Sequence, residues 1–149
     1  MTGSASGTDD AHSRPEGASD ELIDAVGKLS ESLERVERAR GALYEFHQLM
    51  GGADAMLDEV VEGLSATGHT ELAERIRDEL IGRNVVQGRW TFQLVEEFDD
   101  GYYALFRELD KAVRDAATDG RRHVFEAEMK ERRRSHGRRG HEATPRSGD

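Results

Sequence analysis

Three side chains near the middle of the chain have types and spacing that let them meet on one helix face. Arg40, Tyr44 and His47 stand at i, i+4 and i+7, and on an α-helix such positions fall in one stripe. A guanidinium, a phenol and an imidazole beside an apolar stripe could bind an anion, or could engage Glu97 and Asp99 farther along the chain. The plainer alternative lays the stems of Arg40 and Tyr44 on the rim of a core and gives His47 one hydrogen bond. No nucleophile or second base is paired with them by spacing, so no catalytic residue is assigned. The densest acidic cluster is Glu96, Glu97, Asp99 and Asp100. Close carboxylates are what glycoside hydrolysis or general acid–base work requires. With Phe98 and Tyr102 inward, about 100° per residue turns Glu96 and Asp100 away and leaves Glu97 and Asp99 on the flanks, which predicts a solvated face.

A second charged group closes the chain: Lys130, Arg132, Arg133, Arg134, Arg138 and Arg139. Such a run suits a nucleic-acid or polyanion arm. Without lysine-rich repeats or interleaved aromatics it reads better as a solvated helix end that balances the acidic body, in cis or across a dimer. The stretch GRWTFQLVEEFDDGYY carries the only Trp, two of the five Phe and two of the three Tyr. Trp90, Phe98 and Tyr102 lie near the apolar phase and are expected to pack, whereas Phe92 and Tyr103 fall off it and suit a partner surface or a cover by short helices. His47, His69 and His123 sit on three different segments, so no metal site is expected. The chain has no cysteine, which removes disulfides, thiolate catalysis and Cys-ligated clusters. Glycine-rich phosphate loops, the H-E-x-x-H signature and paired Glu-x-x-His motifs are absent, and no cofactor is expected.

Charge is distributed unevenly. Residues 1–120 hold 26 acidic and 12 basic side chains and residues 121–149 hold 5 and 9, so the net charge of −10 divides into −14 and +4. Hydrophobic residues make up 36% and charged residues 35%, with a mean hydropathy of −0.76. That balance fits long helices with one apolar stripe each. The first residues are small, polar and acidic, unlike a signal peptide, and no apolar run is long enough to span a bilayer. The expected location is the cytoplasm. An excess of Arg over Lys, 18 to 3, suggests a bacterial genome rich in GC.

The elements that must position these residues follow from apolar periodicity. Ser19 or Asp20 can cap a first helix, in which Leu22, Val26, Leu29, Leu33 and Val36 recur at intervals of four and three, a coiled-coil-like seam. Leu43 and Met50 continue it, with Arg40 and His47 in the alternate positions and apolar Ala39 and Phe46 one step aside. The drift of an unsupercoiled helix predicts that the buried stripe slides toward those two. Gly51-Gly52 predicts a stop. A second helix carries Ala53, Met56, Leu57, Val60, Val61 and Leu64, and a third runs from Thr70 through Leu72, Ala73, Ile76, Leu80 and Ile81. A last long helix from Trp90 to Ala117 bears Val95, Phe98, Tyr102, Leu105, Leu109 and Val113 as its inward stripe.

The resulting expectation is an all-α antiparallel bundle of two long and two short helices plus a short C-terminal helix. Residues 1–18 form an acidic disordered tail, 19–118 the bundle, 119–134 the short basic helix and 135–149 a second disordered tail. The segments GALYEFHQLM, GRWTFQLVEEFDDGYY and RRHVFEAEMKERRR resemble a group of actinobacterial helical proteins with no assigned function. That resemblance implies a bacterial origin and transfers no functional residue. The functional expectation is a non-enzymatic helical interaction or scaffold protein that self-associates or takes a helical protein partner, without a membrane. The alternatives are a nucleic-acid-associated regulator acting through the arginine-rich end and a helical bundle that binds a small molecule or metal.

Overall fold

The computed structural model describes residues 7–144. Among them every regular element is helical, and the sole β pairing is an isolated bridge between Val86 and Arg89. Helix α1 spans Asp20–Ala66, 47 residues, roughly 70 Å long at 1.5 Å per residue. Ser19 opens it, its hydroxyl accepting from the Leu22 amide at 3.2 Å, as an N-cap does. The stop predicted at Gly51-Gly52 does not occur, so the first and second helices are one. An interior glycine costs about 1 kcal/mol relative to alanine, too little to break a helix whose inward stripe continues on both sides. From Leu33 to Leu64 the buried or half-buried positions recur at strictly alternating intervals of three and four residues, the period of a coiled-coil seam. The predicted slide toward Ala39 and Phe46 is also absent. Both are exposed, and Arg40 and His47 hold the seam. At the start of α1 the buried residue is Ile23 rather than Leu22.

The chain forms two units, one made of residues up to Arg35 with those from Leu105 onward, the other of Val36–Ala104. In the first, Ile23 and Val26 of α1 are buried, as is Val124 of helix α5, Val124–Arg133. Gly27 makes the approach of α5 possible, since a Cβ there would lie 3.0 Å from Phe125 Cβ and Cγ. Residues 7–18, expected to be without structure, contain a turn and reach α5. The Arg14 guanidinium donates to both Glu128 oxygens, at 2.6 and 2.8 Å, and to Asp20 at 2.7 Å. Arg121 donates to the Ser13 carbonyl at 2.8 Å. Residues 1–6 and 145–149 of the expected tails lie outside the described residues.

The second unit holds the rest of α1, then α2, Thr70–Arg75, which widens into a π-helical turn at Ile76–Leu80. Helix α3, Thr91–Phe98, passes through a second π-helical turn, Asp99–Tyr103, into α4, Ala104–Thr118. Val61, Ala73 and Val95 are its buried apolar residues. The π turn alters the predicted last helix in a specific way. A π turn holds an extra residue, which advances the phase of everything after it. The half-buried and buried positions become Tyr103, Phe106, Asp110, Arg114, Ala117 and Thr118, while Tyr102, Leu105, Leu109 and Val113, expected inward, are exposed. Trp90, also expected to pack, is 59% exposed.

Candidate functional site

Within the second unit the α1 seam carries three polar residues seven apart: Arg40, His47 and Asp54. Each sits where a seam ordinarily holds an aliphatic side chain, and each is answered by one group beyond α1. Arg40 Nε and Nη2 donate to the two Asp99 oxygens at 2.6 and 2.9 Å. His47 Nδ1 lies 2.6 Å from Thr91 Oγ1, at the first residue of α3. Asp54 accepts from the Gly82 amide at 3.0 Å. The three pairs repeat about every 10.5 Å along α1 and fix one register between it and the chain from Gly82 to Asp99.

The Arg40 end is the most elaborate. Its guanidinium lies 4.9 Å from the Tyr44 ring centroid and 5.2 Å from that of Tyr103, both within cation–π range. The Tyr103 hydroxyl reaches Glu37 at 2.6 Å, and its ring stacks on Phe98 with centroids 5.9 Å apart. The second π turn therefore begins at a carboxylate held by Arg40 and ends at a ring held by Glu37. The hydrogen bonds from Arg40 hold the Asp99 carboxyl below its ordinary range, and Asp99 raises Arg40 in return. A carboxylate so stabilised is a poor proton acceptor, and a guanidinium with a bidentate partner is not open to a further anion. Of the sequence candidates, Arg40 and Tyr44 meet face to ring, while His47 is engaged separately with Thr91. Of the acidic cluster, Asp99 turns to Arg40 and Glu97 pairs with Arg89. Glu96 and Asp100 are exposed.

A cavity of about 810 Å³ opens beside the Asp54 end. Met50 and Leu57 of α1 form one wall and Leu80, Val85, Trp90 and Phe92 much of the other. Two glycines make the room. Gly51 lines the cavity, and a Cβ on it would meet nothing within 4 Å; Gly82 turns the chain at φ 73°. Arg83, Asn84 and Arg89 bring polar groups to the rim. The predicted stop at Gly51-Gly52 hid this site, because it cut the heptad count before Asp54 and turned two helix positions into a loop.

In the first unit Arg134 pairs with Glu131, which also meets His136 Nε2 at 2.7 Å. These bonds lower the Glu131 carboxyl, Arg134 contributing most. Lys130, Arg132, Arg133, Arg138 and Arg139 are exposed and in no ion pair with a described residue. No three histidines or carboxylates among the described residues come together in a way that could hold a metal ion, and no described helix is long and apolar enough to cross a membrane. Compared with family models, curated proteins and solved structures, the chain matches none.

Proposed function

We propose that the protein is a non-enzymatic helical interaction protein that works as a self-associated assembly, with α1 as the contact. The observation that carries this reading is a second apolar stripe on α1. Ala39, Ala42, Phe46, Leu49, Ala53, Met56 and Val60 recur at intervals of three and four, lie about 100° round the helix from the polar seam, and are all exposed. Leu49 is 63% and Met56 70% exposed. Three heptads of apolar residues at this period are what a facing helix packs against. A contiguous exposed apolar surface marks an interaction site more often than scattered single residues do.

A second copy in antiparallel orientation suits the stripe best. Centred between His47 and Gln48, that arrangement sets small Ala39 opposite Met56 and Phe46 opposite Leu49. It also brings Arg38 toward Glu59 of the other copy at flanking positions, where opposite charges favour one orientation. Size-exclusion chromatography with light scattering should give a multiple of 16.6 kDa. Leu49→Glu with Met56→Glu should give a single chain of unchanged helix content. A single chain for the unaltered protein at every concentration would overturn the proposal.

A further inference from the structure

We infer that the cavity beside Gly51 binds an apolar organic carboxylate, with the hydrocarbon body between α1 and residues 80–92 and the carboxylate on Arg83. Its volume of about 810 Å³ lies within the range of pockets that enclose small molecules, roughly 300–1,000 Å³, and its mix of apolar walls with a few polar groups is theirs too. The walls are not closing on themselves: Leu80, Val85, Trp90 and Phe92 remain 40–59% exposed although they face a common space. Trp90 and Phe92 lie with ring centroids 5.1 Å apart and inclined at 44°, which leaves ring surface for a ligand rather than consuming it in stacking.

The charge follows from which polar groups are already engaged. Asp54 is occupied by the Gly82 amide, Thr91 by His47, and Arg89 by Glu97. Arg83 lines the cavity and forms no hydrogen bond to a described carboxylate; it acts on Glu79 only at a distance, adding to the lowering of that carboxyl that Arg75 dominates. The unit around it is strongly acidic, with 14 acidic and 6 basic side chains in residues 36–104. Two of those six bases line the cavity with a single acid, Asp54. A guanidinium at the rim of an apolar space favours a carboxylate with a hydrocarbon body over a neutral or cationic amphiphile. Gly51 lies on the side of α1 away from Leu49 and Met56, by about 100° per residue, so of the self-association stripe only Ala53 also lines this cavity.

The single tryptophan reports on the site, since Trp90 is part of its wall. Full-length protein titrated with submicellar dodecanoate should show a saturable change in Trp90 emission at one ligand per chain. Dodecanol, lacking the charge, should bind at least about tenfold more weakly to the unaltered protein, and Arg83→Gln should weaken dodecanoate by a similar factor. Gly51→Leu puts a side chain into the cavity from a position whose Cβ meets nothing within 4 Å, should preserve the circular dichroism spectrum, and should abolish the response. Absence of saturable binding would overturn the proposal, as would binding indifferent to Gly51→Leu. Equal affinity for dodecanol and dodecanoate would overturn the carboxylate assignment.

Discussion

Arg40 occupies a seam position on α1 and keeps a permanent charge there, which is tolerable because Asp99 answers it with two hydrogen bonds. With side chains 30% and 26% exposed, the pair contributes more to register than to stability in bulk. Its pH dependence follows from the depressed Asp99 carboxyl. A carboxyl lowered on folding stabilises the folded state above its unfolded value, near 3.8, and loses that contribution as pH falls through the lower folded value. Calorimetry should therefore show Asp99→Asn melting below the unaltered protein at neutral pH, with the two melting temperatures converging as pH drops below about 3.8. A gap that stays constant into acid would mean that the charge of Asp99 is not what matters. Asp110 is the harder case: its side chain is 6% exposed, and Arg114 Nε binds one oxygen at 2.9 Å while the other has no partner. Helical spacing could place Arg40 and His47 on one face. It could not place Asp110 inside, because that depends on a turn eleven residues earlier whose geometry comes from tertiary contacts.

At the level of elements, apolar period was a sound guide to helix type and an unsound guide to helix ends. The beginning at Ser19 was readable from capping chemistry, its hydroxyl satisfying a free amide locally. At Trp90 the Gln93 side chain accepts from the Trp90 amide, while the cap expected from Thr70 does not form, His69 standing at that N-cap without a side-chain bond. The run through Gly51-Gly52 was not readable, because a glycine pair is locally a stop and only the seam beyond it argues otherwise. That difference can be measured. If α1 is continuous, Gly52→Ala should raise stability by about 0.5–1 kcal/mol, read as a higher denaturant midpoint; a helix ending there would lose stability instead. The π turn at Asp99–Tyr103 defeated the sequence for a related reason. Gly101 eases it, but Arg40 and Glu37 hold its two ends, and neither residue is near it in sequence. One extra residue then carried Leu105, Leu109 and Val113 from the expected interior to the surface.

For the molecule as a whole, the balance of apolar burial favours association. Among the described residues six hydrophobic side chains are buried and sixteen large ones are exposed, so a lone chain leaves much of its available hydrophobic stabilisation unused. Association that protects folded chains raises their apparent stability by mass action. The melting temperature should therefore climb with protein concentration, and more steeply in added salt, which screens repulsion between acidic copies. Leu49→Glu with Met56→Glu should make it independent of concentration. A concentration-independent melt of the unaltered chain would separate stability from assembly. The unit that joins the two chain ends has another consequence, for synthesis. Arg14 and Glu128 are 114 residues apart in sequence, and Ile23 and Val26 are covered from the same distant α5 region. A ribosome extending the chain by 5–20 residues per second leaves them waiting on the order of ten seconds, while residues 36–104 can fold as they emerge. Residues 14–26 are thus translated well before the α5 residues that shelter them, and that interval is when a nascent chain of this protein most needs a holding chaperone.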